Sequence, residues 1–439
     1  MGGGSIRAQN MKILVLGSGG REHAVVWALR KTTTKSIHTY CVPGNAGITE
    51  DAETVQISVS DHSGLIRFVE SEGIDLTFVG PEAPLVDGLV DAFDSKGFAV
   101  VGPSAAAARL EGSKIFAKDF MARHKVPTAF YSVAETPTDA IESLRSGKFG
   151  SAESPVVIKA DGLAAGKGVV VAGSHAEAER AIEDLMINHV AGASAANRIV
   201  LEEKMMGVEA SLLLFADGKD YLVMPAARDH KRIGENDTGP NTGGMGTITD
   251  PTILPTEILD RVLREIVEPT LAGAEHDGFA FKGILFVGLM FTDAGPKLLE
   301  YNVRFGDPEA QAILVRLKTD LASVFEAISR GTLGKLKLEW SDGASACVVA
   351  ANPGYPGKYE SGSMIRGLSE AKETGVQIFH AGTSFSPEGN VIATGGRVLG
   401  ITSAASTLPE ALGNCYRALE DISWPGMQFR RDIGKVVRN

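Results

Sequence analysis

Over residues 12–112 short apolar runs alternate with amphipathic stretches: KILVLG, then REHAVVWALRK, then IHTYCVPG, DLTFVGPE and FAVVG. Strand and helix alternating in this way predict an open parallel sheet with helices packed on it. After Leu110 the stretch SKIFAKDFMARH predicts a helix capped by Ser113 and followed by a turn at Pro127. Two β-branched runs then flank a glycine-rich segment, VIKADGLAAGKGVVV, which predicts a hairpin with a flexible tip ahead of a helix at SHAEAERAIEDLMINHV. Strands follow at RIVLEEK, EASLLLFAD and YLVMPAA, then a polar glycine-rich loop over 229–247, a helix around 255–274, and strands GILFVGLMFT and PKLLEYNV. The C-terminal part is strand-rich and closes with a helix at LPEALGNCYRALEDI. The fold class is therefore α/β and α+β in several domains.

Composition narrows the picture without changing it. The chain has 439 residues, 44% hydrophobic and 22% charged, as expected of an ordinary globular protein of about three domains. No apolar run reaches the ~18 residues of a membrane span. The leading MGGGSIRAQN has no apolar core of a secretory signal, so residues 1–10 are expected to be an added or disordered tail before Met11. Cys41, Cys347 and Cys415 are far apart and form no CxxC pair, which points to a reducing cytoplasm. A net charge of -11 argues against nucleic-acid binding but allows small anions held by local basic clusters.

Several short segments carry candidate chemistry. The VIKADGLAAGKGVVV segment fails as a Walker loop, because Asp161 stands at the first glycine position, Gly168 replaces the metal-binding hydroxyl, and a strand follows instead of a helix. Gly17-Ser18-Gly19-Gly20-Arg21-Glu22 resembles a dinucleotide turn but has Glu22 where the third glycine belongs. Two further turns, Pro43–Gly47 and Gly80–Leu85, also lie at strand ends, where open α/β sheets bind ligands. Glu300 and Asn302 share one strand face and offer hard oxygens suited to Mg²⁺. Arg304, just beyond, can fork onto a carboxylate or phosphate. The basic run Arg228–Arg232 leads into DTGPNTGGMG, too polar to form a core and therefore either loose surface or a ligand loop. Taken alone, Lys114 reads as a surface lysine and Glu202, Glu203 and Glu209 as edge-strand charges. No His-x-x-x-His pair or GxSxG elbow is present.

The ordered set GSGGREHA, PGNAG, VGPEAPLV, LEGSK, IKADGLAAGKGV, DHKR, DTGPNTGGMG, EYNVRFGDPE, HAGT and GGRVL resembles the ATP-grasp superfamily and, within it, the phosphoribosylamine-glycine ligase family, from Met11 to the end. That resemblance implies an N-terminal parallel α/β domain over 11–112 that binds phosphoribosylamine. It also implies an ATP-grasp core at 113–133 and 201–335, a small lid at 134–200 and a mixed C-terminal domain over 336–439. The implied reaction joins glycine to 5-phosphoribosylamine with ATP, through glycyl phosphate, in purine biosynthesis.

By the same resemblance Lys114 and Lys159 meet the phosphates, while the loop from Asp161 and Gly162 through Gly166 and Lys167 to Gly168 covers them. Glu202, with Glu203 and Lys204, holds adenine, and Glu209 holds ribose. Glu300 and Asn302 hold Mg²⁺, or Mn²⁺ in its place. Arg304, Asp229, Asn241 and Gly243 are implied for glycine, with Arg304, Lys159 and Asp229 at the chemistry. Gly19, Gly20, Arg21, Glu22, Asn45, Ala46, Gly47, Pro81, Glu82, Lys231 and Arg232 are implied for the phosphoribosyl part, and Gly306 and Asp307 for substrate.

The expected partners are these small molecules alone, with no nucleic acid or membrane, and the expected state is a cytoplasmic monomer. One departure stands out: the strand before Glu300, Gly283–Leu289, has no acid, so a single protein-held Mg²⁺ is expected. The rival readings are another ATP-grasp carboxylate–amine ligase, a biotin carboxylase, or a dinucleotide-binding protein without ligase chemistry. The last of these needs a third glycine and an acidic ribose partner ~20 residues on.

Overall fold

The computed structural model describes residues 10–164, 168–190, 192 and 197–435. Strands Met11–Gly17, Ile37–Pro43, Glu53–Thr54, Leu76–Val79 and Val100–Val101 form one parallel sheet in the spatial order third, second, first, fourth, fifth. Ile13 to Leu16 are 0% exposed, because helices cover both faces of such a sheet and every position along the strand must be apolar.

A second unit has its own core. Strands Tyr131–Ala134, Ile199–Glu203, Val156–Ala160 and Val169–Ala172 lie side by side, all antiparallel. Helices Pro137–Arg145 and His175–Met186 supply Ala140, Leu144, Ala178, Ile182 and Leu185 to that core. The chain enters and leaves through neighbouring strands, Tyr131 opposite Glu202, so this sheet extends slightly past the expected 134–200 span at both ends. Its hairpin spans the glycine-rich segment, as the flanking β-branched runs predict.

The remaining strands form one nine-stranded sheet. Val208–Asp217, Lys282–Thr292 and Gly295–Asn302 make its antiparallel ribbon. Gly246–Thr249 then pairs with Ala344–Ala351, which carries the sheet into Arg397–Ala405 and Gln377–His380. The strand-rich C-terminal part thus completes the central sheet. The helix expected around 255–274 runs Thr256–Val262, a wider π turn at Leu263–Val267, and Glu268–His276. The π turn lies just where Pro269 cannot supply an N–H and would crowd the preceding carbonyls.

The polar stretch 229–247 is ordered. Arg232–Gly234 and Thr238–Asn241 pair as a hairpin, with φ of 54° at Asn236 and 51° at Asp237. Arg430, 1% exposed, anchors it from the C-terminal part. Its guanidinium donates to Arg232 O at 3.0 Å, to Asp237 Oδ1 at 2.6 Å and to both Asp432 oxygens at 2.8 and 3.0 Å.

The C-terminal part also docks on the first sheet. Asn45 Nδ2 donates to Ser18 O and His380 O, both at 2.8 Å, while its Oδ1 accepts from Gly47 and Ile48 N–H. His380 N–H donates to His23 Nδ1 at 2.8 Å, and a side chain at Gly47 would run into the His380 ring at 2.4 Å. Burial, aided by Lys372, lowers the His380 imidazole from 6.5 to about 4.

Two outcomes follow. Arg430→Met leaves Asp432 buried without its cation and is expected to lower unfolding free energy by about 3–5 kcal/mol, read from urea denaturation. Because protonated His380 is favoured only in the unfolded chain, its contribution is complete above 6.5 and is lost as pH falls toward about 4. The loss amounts to roughly 3 kcal/mol at the acid end. His380→Gln is expected to flatten that part of the stability–pH curve, and an unchanged slope rules His380 out as its cause.

Candidate active site

The site is built around the helix Lys114–Arg123. The chain breaks after the helix Ala105–Gly112, and Ser113 restarts it by accepting from Phe116 N–H at 3.1 Å. Ser113 Oγ donates to Asp161 Oδ1 at 2.7 Å, and the same oxygen accepts from Ile115 N–H at 2.9 Å. Arg198 Nη2 lies 2.7 Å from Asp161 Oδ2. Asp161 therefore ties the base of the glycine hairpin to the start of this helix. It lines no part of the cavity below.

Lys114 opens the helix and places Nζ 3.1 Å from Glu300 Oε2; Lys231 Nζ lies 3.9 Å from Glu300 Oε1. Lys114 first, with Lys231 and Lys159, overcomes burial and holds the Glu300 carboxyl well below the usual range, so it is a carboxylate at any physiological pH. Burial alone would lower Lys231, but Glu300, Glu209, Asp229 and Glu309 outweigh it and keep the ammonium charged. Opposite Glu300 the neighbouring strand presents Gly288, so no second acid faces it from there.

A second ionic group lies beside the first. Glu202 Oε1 is 2.9 Å from Lys159 Nζ and Oε2 is 3.1 Å from Lys118 Nζ. Glu202 is 2% exposed, and its strand is flanked on both sides within its sheet, so the edge-charge reading does not apply. Glu202 and the adjoining Glu203–Lys204 line the cavity beside Met205, Met290 and Leu299.

Arg304 is held by Glu111 Oε1 at 2.7 Å, Asn302 Oδ1 at 3.3 Å and Phe305 O at 3.2 Å, with Glu82 Oε2 3.4 Å from Nε. Glu111 also accepts from Val303 N–H at 2.8 Å, and burial, opposed by Arg304, raises its carboxyl. Arg21 reaches Phe305 O at 3.0 Å and lies 4.0 Å from Glu82. Asp229 accepts from His230 N–H at 2.7 Å. Burial and the Glu309 charge push the Asp229 carboxyl well up, against Lys231 and Arg397. Burial likewise raises Glu309.

One cavity of about 700 Å³ joins these groups. Of the residues expected at the site, Arg21, Glu82, Lys114, Lys159, Gly162, Gly168, Glu202, Glu203, Lys204 and Glu209 line it. Asp229, Lys231, Arg232, Asn241, Gly243, Glu300, Asn302, Arg304, Gly306 and Asp307 complete the set. Gly166 and Lys167 lie outside the described residues.

The first glycine turn stands back from the cavity. Glu22 accepts from Gly19 N–H at 2.7 Å and pairs with Arg21 Nε at 2.6 Å, capping its own helix. Its side chain fills the space beside Gly17, Gly19 and Gly80, where a Cβ would come within 2.4, 2.8 and 2.2 Å of it. A carboxylate thus occupies the helix N-terminus that a dinucleotide pyrophosphate would need. Asn45, Ala46, Gly47 and Pro81 also stand behind the wall, and Gly20 packs on Gln311.

Residues that local sequence patterns do not disclose close the far end. Arg397 donates to Gly243 O and Asp307 O, both at 2.5 Å, and lies 3.4 Å from the Asp307 carboxylate. Burial alone would raise that carboxyl, but Arg397 and Arg21 hold it down. Tyr355 OH accepts from Gly243 N–H at 2.9 Å. The only cue to Arg397 was its place in GGRVL, a tail motif with no local chemistry of its own. Elsewhere among the described residues, His124, His276 and Asp277 cluster at two helix ends. Arg123 already occupies that carboxylate at 2.7 Å, so the group is an ion-paired helix cap.

Comparison with known proteins places all three parts of the chain. Residues 11–111 match the N domain of phosphoribosylglycinamide synthetase, 112–310 its ATP-grasp (A) domain and 345–436 its C domain. The chain is 47% identical over 426 residues to a phosphoribosylamine–glycine ligase of Mesorhizobium japonicum, covering 97% of this chain and 98% of that one. It is 44% identical over 428 residues to the Escherichia coli ligase of the same name, again covering 97% and 98%. The crystal structure of the Thermotoga maritima phosphoribosylamine–glycine ligase superposes with a TM-score of 0.83 at 33% identity, covering 96% of this chain and 100% of that one. A Campylobacter jejuni biotin carboxylase shares the fold at a TM-score of 0.69 and 15% identity, covering 96% and 93%.

Proposed function

This chain belongs to the phosphoribosylglycinamide synthetase family, whose members join glycine to 5-phosphoribosylamine with ATP and a divalent cation in purine biosynthesis, and on that premise we propose how its cavity divides the work. The observation that carries the proposal is the convergence of Lys114, Lys159 and Lys231 on one cavity wall around the permanently ionised Glu300.

The triphosphate lies against Lys114 and Lys159, under the hairpin loop that starts at Asp161 and includes Gly162, Gly166, Lys167 and Gly168. Adenine takes the apolar end beside Met205 and Leu299, read by the main chain at Glu202–Lys204, and Glu209 takes the ribose. The residues present suit a hard cation: the Glu300 carboxylate and the Asn302 amide oxygen share a strand face beside the lysines, and Mg²⁺ prefers few protein oxygens plus phosphate and water. The same oxygens also accept Mn²⁺ and, with Gly288 opposite, they favour one protein-held ion. When bound, it neutralises phosphate charge.

Arg304 receives the glycine carboxylate and Asp229 its amine, within the wall made by Asn241 and Gly243. Aligned in this way, a carboxylate oxygen attacks the γ-phosphorus and ADP leaves, giving glycyl phosphate. The amine of phosphoribosylamine then attacks the acyl carbon and phosphate departs. The amine proton passes to the Asp229–Glu309 pair, whose raised affinity for protons suits an acceptor. Alignment and charge neutralisation account for the rate, because the protein forms no covalent bond. A closed hairpin keeps water from the acyl phosphate.

Arg21, Glu82, Lys231, Arg232, Gly306 and Asp307 face the phosphoribosyl part. Gly19, Gly20, Glu22, Asn45, Ala46, Gly47 and Pro81 support that wall from behind. In this division residues 11–112 bind phosphoribosylamine, 113–133 with 201–335 form the ATP-grasp core, 134–200 the lid and 336–439 the closing domain. The working unit proposed is a monomer. The three buried free cysteines fit a cytoplasmic enzyme. Among the described residues no helix is long and apolar enough to cross a membrane.

ATP consumption is expected to require glycine and phosphoribosylamine together, and equal turnover with alanine in place of glycine overturns the glycine assignment. Glu300→Gln is expected to lower kcat by about 100-fold or more, the scale of losing a preorganised electrostatic contact at phosphoryl transfer. Its far-UV circular dichroism is expected to match that of the parent protein while its urea midpoint falls, because Lys114 and Lys231 lose their counterion, and normal turnover at saturating Mg²⁺ removes Glu300 from the metal site.

A further inference from the structure

Lys118 lies one helical turn beyond Lys114, on the same face of the helix. Unlike Lys114, it lines no part of the cavity and is 2% exposed. Its ammonium donates to Thr128 Oγ1 at 2.8 Å and lies 3.1 Å from Glu202 Oε2. The other Glu202 oxygen meets Lys159 at 2.9 Å, and Lys159 Nζ donates onward to Leu299 O at 3.2 Å. Thr128 itself donates to Leu298 O at 2.7 Å. A continuous chain of polar contacts thus leaves the strand of Glu300, passes through Lys118 into the four-stranded sheet, and returns through Lys159 beside Glu300.

The charge count along that chain does not close. Two ammonium groups share one carboxylate, and an unmatched buried charge costs several kcal/mol unless an anion arrives to meet it. Lys159 is the member that faces the cavity, and Lys118 is the member that cannot reach it. We propose that Lys118 is a positioning residue for ATP: it holds Glu202 from behind so that Glu202 aims Lys159 at the triphosphate, and it leaves the buried group one positive charge for phosphate to match. This rests on the triphosphate lying at Lys159.

A pH signature follows. Burial lowers the Lys118 ammonium to about 8, with Glu202 opposing and Lys159 and Lys114 assisting. Glu203, on the same strand as Glu202, and the Tyr131 ring, 5.8 Å from Nζ, complete the charged and titratable groups around it. Bound phosphate favours protonated Lys118, so ATP affinity is expected to fall as pH rises through about 8.

The test measures ATP dissociation constants by calorimetry between about pH 7 and about pH 9.5, spanning the lysine transition. It is paired with KM for glycine in Lys118→Met, Lys159→Met and the double variant. Lys118→Met is expected to weaken ATP binding about tenfold, the scale of one charge-assisted contact. KM for glycine stays unchanged and the step near pH 8 is lost. In the double variant the loss is no larger than in Lys159→Met alone. Thr128→Val, which keeps every charge and removes the 2.8 Å contact with Lys118 together with the 2.7 Å contact with Leu298 O, is expected to weaken ATP binding severalfold, again with no further loss on the Lys159→Met background. It carries the test if Lys118→Met does not fold. Parental affinity with the pH step intact, or losses that add, overturn the proposal. If Lys159→Met alone binds ATP normally, the triphosphate placement falls and this inference falls with it.

Discussion

Two ion pairs made by one helix, Lys114 with Glu300 and Lys118 with Glu202, set the geometry on which the site depends. The lysines are four residues apart and so share a face, while the carboxylates come from different sheets. Each pair therefore fixes one sheet relative to the helix, and the two together fix the sheets relative to each other across the cavity. Lys231 and Lys159 add a second cation to each carboxylate. An acidic protein thereby gathers several positive charges along one cavity.

The C-terminal part completes this arrangement more than its place in the chain suggests. Its strands extend the central sheet, its Arg430 orders the polar hairpin, and its Arg397 braces the Gly243 and Asp307 loops. A glycine-rich loop costs conformational entropy to order, and two guanidinium groups, Arg430 buried and Arg397 half-buried, offset that cost through multiple charge-assisted hydrogen bonds. The loop can then present Asp229 and Asn241 to a ligand without a core of its own.

What the sequence disclosed follows from range. The alternation of elements, the Ser113 cap and the glycine hairpin are local patterns, and all appear in the structure. Glu300 and Asn302 on one face follow from strand period alone. Partners distant in the chain were not legible. Asp161 reads as a failed glycine of a phosphate loop, and only its contacts with Ser113, Ile115 and Arg198 show it to be the hairpin's anchor. Glu22 reads as a defect in a dinucleotide turn, whereas in three dimensions it fills the crevice those glycines leave. Asn45 reads as a substrate residue in a strand-end turn, whereas its side chain is taken up by contacts with Ser18, Gly47, Ile48 and, across 335 residues, His380. Lys118 looks like any helical lysine until the strand bearing Glu202 is laid beside it.

On the proposed division of the cavity, the glycine hairpin handles phosphate differently from a Walker loop. A Walker loop fixes phosphate at a helix N-terminus, where orphan N–H groups and the helix dipole are already aimed. A hairpin has neither, since its strands use their N–H groups on each other. It must be supplemented by cations delivered from outside the loop, and here Lys159 arrives from the strand and Lys114 from a separate helix. The dependence on outside cations is also an opportunity. In the division of the cavity proposed above the loop need not itself fix the charge, while Asp161 keeps its base attached to the helix that carries Lys114. The departure from the Walker pattern at residue 161 is therefore what ties the hairpin to the helix that carries Lys114.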